Sequence, residues 1–394
     1  MKVAGIVAEY NPFHNGHKFQ IDSLKSQGFT HIVTAMSGNF VQRGDTAVAD
    51  KWVRTKTALE NGACLVLEIP TCYCLAPAEK YCFAAVEVLH NTGVVDTLCF
   101  GSETAETEKL LYFAEKIFDD NSVDIKLKEF LNEGITYVSA LEKAVEEIYG
   151  NEYSKVLKNP NDILGIEYMR ALKDLNSDIT PLPIKRKGVG HNDTETANRF
   201  ASATAIREMI ANGEDYSLFL PKNSLKELKS AEKDGKFPVF AKQYERVILG
   251  ALRSLDENDF ERLCDVSEGF HNRLFEAVKN ADSLDSLFTL AKTKRYTLAR
   301  IRRLVFCAAL KIFRYEKPPY IRVLGFSQDG VQLLKKMKQS SRLPIVTSYA
   351  EAKKLSENAK KYFESESKYT DFYSMLMPKI APKGLEFSQG VVKI

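Results

Sequence analysis

The stretch Ala8-Glu9-Tyr10-Asn11-Pro12-Phe13-His14-Asn15-Gly16-His17 sets two imidazoles three residues apart around a glycine, directly after an apolar run at residues 3–8. If that run is a strand and a helix begins near His14, both rings share one face of its first turn. Backbone N–H groups at a helix start attract anions, and Gly16 leaves no side chain between backbone and ligand. Two imidazoles above a phosphate chain can donate hydrogen bonds to charge that builds on phosphoryl oxygens during an in-line displacement. By itself the spacing fits a helix start with polar caps equally well. A metal site is disfavoured, because no third or fourth ligand stands at a usual spacing.

A second constellation, Arg199-Phe-Ala-Ser202-Ala203-Thr204-Ala-Ile-Arg207, offers hydroxyls at a helix start and a guanidinium one turn on. Ser202 and Thr204 can cap that helix or hold β- and γ-phosphates, which Arg207 can grip with its planar fork. Alone this is a common cap pattern; together with HNGH it points to a triphosphate site. Ser37, Gly38, Gln42 and Arg43 follow a second apolar run at 31–36, so they face the same crevice unless they form only a tight turn.

What must position these groups is an alternation of short apolar runs, at 3–8, 31–36, 65–69 and 94–100, with stretches long enough for crossover helices. That rhythm predicts an α/β fold, a doubly wound parallel sheet over residues 1–215 that binds ligands at its strands' carboxyl ends. Beyond residue 216 amphipathic helices dominate, at 224–233, 242–255, 269–279 and 295–314, with 233–238 as the linker candidate. Runs at 321–326 and 343–347 suggest a small βαβα end unit. The expectation is two domains, 1–215 and a mainly helical 216–394.

Composition narrows the classes. With 394 residues, 44% apolar, 27% charged and 55 Lys+Arg against 52 Asp+Glu, the chain is an ordinary globular one, not disordered or collagenous. No run of about 18 apolar residues appears, and the N-terminal run is interrupted too early for a signal peptide, so a cytoplasmic protein is expected. Seven cysteines, including Cys64, Cys72, Cys74 and Cys82 without paired CxxC spacing, read as reduced packing residues and not as a zinc site. Charge is uneven: nine cations between 292 and 317 face the lone acid Glu316. Among them Lys292, Lys294, Arg295, Arg300, Arg302 and Arg303 are candidate nucleic-acid contacts, while the interleaved Tyr296, Phe306 and Phe313 read as packing.

The pair HNGH and SATAIR resembles the (H/T)xGH and ISSTxxR signatures of the HIGH-type nucleotidyltransferase superfamily, with Ala203 where a second serine usually stands. Five separated segments narrow the likeness: EYNPFHNGH, MSGNFVQRG at 36–44, PNDILGIEY at 160–168, IKRKGVGH at 184–191 and KRYT at 294–297. In this order they resemble the tRNA(Met) cytidine acetate ligase family over nearly the whole chain.

The resemblance implies an ATP-dependent ligase that activates acetate as acetyl-adenylate and acetylates the wobble cytidine of elongator tRNA(Met), giving N(4)-acetylcytidine. It implies ATP contacts at Val7, Ala8, Glu9, Tyr10, Asn11, Pro12, Phe13, His14, Asn15, Gly16, His17, Lys18, Phe19 and Gln20, with Gly101, Asn161 and Arg186. Ser202 and Thr204 join that set, His14, His17 and Arg207 are the catalytic candidates, and Ser37, Gly38, Gln42 and Arg43 become candidates for acetate. Gly101 suits close approach of a ligand to the backbone, Asn161 either an adenosine edge or a helix cap, and Arg186 either phosphate or solvent. Mg²⁺ is expected with the nucleotide and no resident metal. A small-molecule adenylyltransferase and a non-catalytic RNA-binding protein are the alternatives.

Overall fold

The computed structural model describes residues 1–186, 199–267, 269–294 and 296–394. By compactness the chain forms two units, residues 1–95 with 187–394, and residues 96–186. Among the described residues the strands are β1 (Val3–Ala8), β2 (His31–Ser37), β3 (Phe40–Val41), β4 (Asp45–Thr46), β5 (Leu65–Ile69), β6 (Thr97–Ser102), β7 (Thr180–Lys185), β8 (Ile321–Phe326), β9 (Ile345–Val346) and β10 (Val392–Lys393). Five helices carry or back the candidate site: α1 (Asn15–Ser26), α2 (Lys51–Glu60), α3 (Ala203–Asn212), α4 (Leu298–Leu310) and α5 (Glu357–Ser374).

In the first unit β1, β2 and β5 run parallel, Val3 opposite His31 and Val33 opposite Leu65. β2 and β5 are buried along their whole length, as strands covered on both faces must be. β8 then joins antiparallel to β5, with Leu65 opposite Phe326, and pairs in parallel with both β9 and β10. Residues 321–326 therefore extend the nucleotide-type sheet and do not found a separate end unit; of the expected strand 343–347 only Ile345–Val346 forms. The expected linker at 233–238 is also a packed corner. Phe237 is buried with Val48, Ile206, Ile210 and Leu228, and the Lys379 N–H donates to the Gly235 carbonyl at 2.9 Å. The change of composition at residue 216 is thus not a boundary of compactness. The expected helix at 295–314 runs only from Leu298 to Leu310, starting on a Thr297 cap.

In the second unit β6 and β7 are parallel, Thr97 opposite Thr180. Pro181 and Pro183 lack N–H donors, which confines β7 to the kind of strand that bonds along one side. The apolar run at 94–100 forms β6, which begins at Thr97, not at 94, and holds Gly101 inside it.

A buried ionic network ties the chain's distant parts into the first unit. Lys51 at the start of α2 lies 2.6 Å from Glu68 of β5 and also contacts Glu386, which pairs in turn with Arg322 of β8 at 3.4 Å. Glu366 of α5 accepts the Thr71 N–H at 3.0 Å, and all five charged residues are buried. Burial pulls the Lys51 ammonium down, but Glu386 and Glu68 together outweigh it, so it keeps its charge. Burial, reinforced by the charge of Glu68, pushes Glu366 up to about 8. A proton on Glu366 leaves two carboxylates against two cations.

This has a consequence for stability. Unfolded, Glu366 titrates near ~4.3, so between there and about 8 the folded chain binds a proton that the unfolded chain lacks. Its contribution is fully present below the unfolded value and is lost as pH rises through that window. Glu366→Gln should remove that slope, so its urea midpoint relative to the unsubstituted protein should improve steadily from pH 5 to pH 8. A constant difference across that range would refute the assignment of the proton to Glu366.

The seven cysteines are free; Cys64, Cys72, Cys74 and Cys82 are buried, and burial raises the Cys72 and Cys74 thiols. Thiols so protonated are packing groups. Among the described residues no helix is long and apolar enough to cross a membrane.

Candidate active site

β1 ends at Ala8, and the turn that follows holds Tyr10 at φ 46, a left-handed conformation that swings the chain sharply into α1. Tyr10 is buried with its ring against Phe13 at 4.7 Å and edge-on to His17 at 4.8 Å. His14 is the N-cap of α1. Its Nδ1 accepts the Gly16 N–H at 3.0 Å, and the His14 N–H donates to His17 Nδ1 at 3.2 Å, closing a capping box made of two imidazoles. The rings stack with centroids 3.7 Å apart.

The helix-cap reading of this motif therefore holds, through the Nδ1 atom of each ring. Each Nδ1 accepts a backbone N–H, so the ring hydrogen sits on Nε2, and the cap itself sets both rings in the donor tautomer. Gly16 is required for a reason the spacing did not reveal: a Cβ there would lie 2.8 Å from His14 Cε1, where the folded-back ring already is. Lys18, by contrast, pairs with Asp22 one turn along α1.

α3 brings the second constellation alongside. Ile206 and Ile210 anchor it in the apolar cluster, and Ser202 caps it, its Oγ accepting the Ala205 N–H at 3.1 Å. Arg207 Nη1 donates to the Asn11 carbonyl at 2.8 Å and Nη2 to Thr204 Oγ1 at 3.2 Å. Asn15 Nδ2 donates to the Arg199 carbonyl at 2.9 Å and the Leu218 carbonyl at 3.0 Å, stitching the two motifs across 184 residues of chain. Burial draws the Arg207 guanidinium down while Glu9 and Asp45 favour its charge.

The loop group divides. Arg43 is exposed, with Nη1 3.4 Å from the same Thr204 hydroxyl, so two guanidinium groups converge on one residue of α3. Gln42 donates its N–H to Glu9 Oε1 at 2.9 Å. Ser37 and Gly38 are buried: Ser37 Oγ is 3.2 Å from Tyr81 Oη, and a Cβ on Gly38 would meet Glu68 Oε1 at 2.7 Å. These two shape the end of β2 and do not line an open surface beside Arg43. Arg54, which the sequence reading missed, lies beneath. Its fully buried guanidinium donates to the carbonyls of Ala49, Glu9, Ser37 and Gly38, joining the ends of β1 and β2.

In the second unit, Gly101, Asn161 and Arg186 come together. Arg186 Nη1 donates to Asn161 Oδ1 at 3.1 Å, and a Cβ on Gly101 would lie 3.2 Å from Arg186 Cγ. Asn161 is not the helix cap: Glu103 accepts the Asp162 N–H at 3.0 Å and also binds the Asn161 amide. Residues 187–191 of the IKRKGVGH segment lie outside the described residues.

The basic segment is less uniform than its composition. Lys292 and Lys294 are exposed, Arg302 is half-buried with its guanidinium 5.4 Å from the Phe288 ring, and Arg295 lies outside the described residues. Arg300 is held 3.0 Å from Asp265, and Arg303, 9% exposed, points inward 3.9 Å from the same carboxylate. These two are not free phosphate contacts, because Asp265 and burial already claim them. Tyr296 stacks on Phe270 at 3.7 Å and Phe306 packs on Phe40, so these two rings are core as read, whereas Phe313 is half-buried with the Arg262 guanidinium 4.3 Å from its ring. The N-terminal turns of α4 rest directly on the loop: a Cβ on Gly44 would be 2.5 Å from Arg303 N, and the Arg302 charge acts on Asp45.

A parallel sheet whose first strand runs into a two-histidine capping box, faced by a hydroxyl and guanidinium from a later helix, defines a HIGH-type nucleotidyltransferase, and the HIGH Nucleotidyl Transferase family model matches residues 1–387. The chain is 38% identical, over the full length of both chains, to the tRNA(Met) cytidine acetate ligase of Caldanaerobacter subterraneus. It is 40% identical to that of Clostridium kluyveri, with 97% of this chain and 96% of the relative covered. The crystal structure of Thermotoga maritima TmcAL bound with alpha-thio ATP superimposes over 100% of both chains, with a TM-score of 0.91 and 32% identity. The chain belongs to the tRNA(Met) cytidine acetate ligase family.

Proposed function

We propose that this protein activates acetate with ATP and transfers the acetyl group to the wobble cytidine of elongator tRNA(Met), forming N(4)-acetylcytidine. The observation that carries the chemistry is the imidazole capping box beside Arg207 and Thr204: two Nε2–H donors and a guanidinium on one strand-end crevice. An acetate oxygen attacks the α-phosphorus, pyrophosphate leaves, and the cytidine amine then attacks the mixed anhydride. His14 and His17 donate to the phosphoryl oxygens as their charge grows, and Arg207 holds the leaving phosphates. Within residues 96–186, Gly101, Asn161 and Arg186 form a separate candidate group for nucleotide contact. Among the described residues no three His, Cys, Asp or Glu side chains stand together to hold a metal ion, so Mg²⁺ would be bound by the phosphates and water.

Charge supports the placing of tRNA. Residues 96–186 carry eighteen acids against eleven bases, so the chain's positive excess lies in the other unit. There Lys292 and Lys294 precede, and Arg302 lies on, a helix seated on the Arg43 loop, which favours delivery of a cytidine from that side.

Labelled pyrophosphate should exchange into ATP only when acetate is added, and acetyl transfer should require tRNA. Exchange with a nicotinate- or pantetheine-type substrate instead would make the protein a small-molecule adenylyltransferase. For acetate we assign Arg43 as the counter-charge, with Gln42, Ser37 and Gly38 shaping its loop. Arg43→Ala should raise the acetate KM by about tenfold, the scale of one charge-assisted hydrogen bond. An unchanged acetate KM with a raised ATP KM would give Arg43 to the triphosphate alone.

A further inference from the structure

Glu9 is a carboxylate in a crevice that must admit a triphosphate, where a like charge works against binding unless the chemistry needs it. Its backbone carbonyl is held by Arg54 Nη1 at 2.6 Å, and its Oε1 accepts the Gln42 N–H at 2.9 Å. Held at both ends, the side chain has a set direction. Among the described residues no hydrogen bond reaches Oε2 and no cation pairs with Glu9. Arg207 lies within electrostatic reach, yet its donors go to the Asn11 carbonyl and Thr204, so it steadies Glu9 without capping it.

We propose that Glu9 is the general base of the second half-reaction, an assignment that rests on the ligase reading above. The cytidine N4 lone pair forms the new N–C bond to the acetyl carbonyl, and the C–O bond to the adenylate breaks, its electron pair leaving on AMP. The proton that N4 can no longer hold passes to Glu9 Oε2 and from there to water. Asp45, another carboxylate that acts on Arg207, is turned instead onto the Thr46 N–H at 2.8 Å.

Glu9→Gln tests this, because the amide oxygen still accepts the Gln42 N–H while the basicity is gone. Both half-reactions are followed, acetate-dependent pyrophosphate exchange for the first and single-turnover acetylation of an unmodified elongator tRNA(Met) transcript for the second. Transfer should fall by about 10²- to 10⁴-fold, whereas exchange falls far less. Glu9→Asp, which keeps a carboxylate, should recover part of the transfer. Equal loss in both half-reactions would mean that Glu9 only positions Arg207, and an undiminished transfer rate would exclude any part in it. If the unsubstituted enzyme shows no acetate-dependent exchange, the ligase reading fails first, and this one with it.

Discussion

His17→Ala should lower acetate-dependent pyrophosphate exchange by about 10²- to 10³-fold, the loss expected when one oriented donor, worth roughly 3–4 kcal/mol in the transition state, is removed. The fold should survive. His17 accepts the His14 N–H inside the capping box, and losing such a cap costs about 0.5–2 kcal/mol of helix stability. His14→Asn separates the two roles at the neighbouring position: asparagine still offers an oxygen to the Gly16 N–H but has no Nε2. It should melt close to the unsubstituted protein while losing activity on the same scale. If both variants keep exchange rates within about threefold, the rings serve only as caps and the catalytic assignment is wrong.

Lys51→Met should destabilise the protein by about 3–5 kcal/mol, read from the urea midpoint at neutral pH. The methionine fills a similar volume, so the loss comes from charge: Glu68 and Glu386 would be left facing one another in the interior without the ammonium that both contact. Burial alone already disfavours the ionised form of each, and Lys51 and Arg322, with the Thr370 hydroxyl, hold Glu386 below its usual range. Adding Glu386→Gln to Lys51→Met should therefore recover part of the loss. Additive losses in the double variant would show that the two residues do not communicate.

The two motifs proposed to carry the chemistry were legible because each is local. HNGH follows a strand by sequence alone, and SATAIR needs only its own helix start to present Thr204 and Arg207. The strands at 3–8, 31–36 and 65–69 stood out for a similar reason, since β2 and β5, buried on both faces, read as unbroken apolar runs. What was hidden depends on partners far along the chain. The helix Lys51–Glu60 buries Lys51, Arg54, Thr55 and Ala58, a stripe that pattern rules assign to solvent. It is buried because carbonyls and carboxylates from other elements satisfy its charges, and no period in the sequence records that. For the same reason Arg300 and Arg303 looked like free cations until Asp265 was seen beside them. The shift of composition at 216 suggested a separable helical domain, whereas Phe237, Arg322 and Glu386 are built into the sheet unit. Deleting everything beyond residue 235 would strip the sheet of β8 and is no test of whether the basic helix is dispensable.

The closing of the sheet by late residues bears on how the protein is made. Asn39 bonds Thr370 across 331 positions, and Tyr373 donates to the Ala47 carbonyl across 326. During synthesis the ribosome releases β5 long before β8 exists, and an apolar strand edge exposed for that time is a ready template for wrong pairing. The nascent sheet must wait for β8 and α5, so it closes only after residues more than 300 positions beyond β2 have been made.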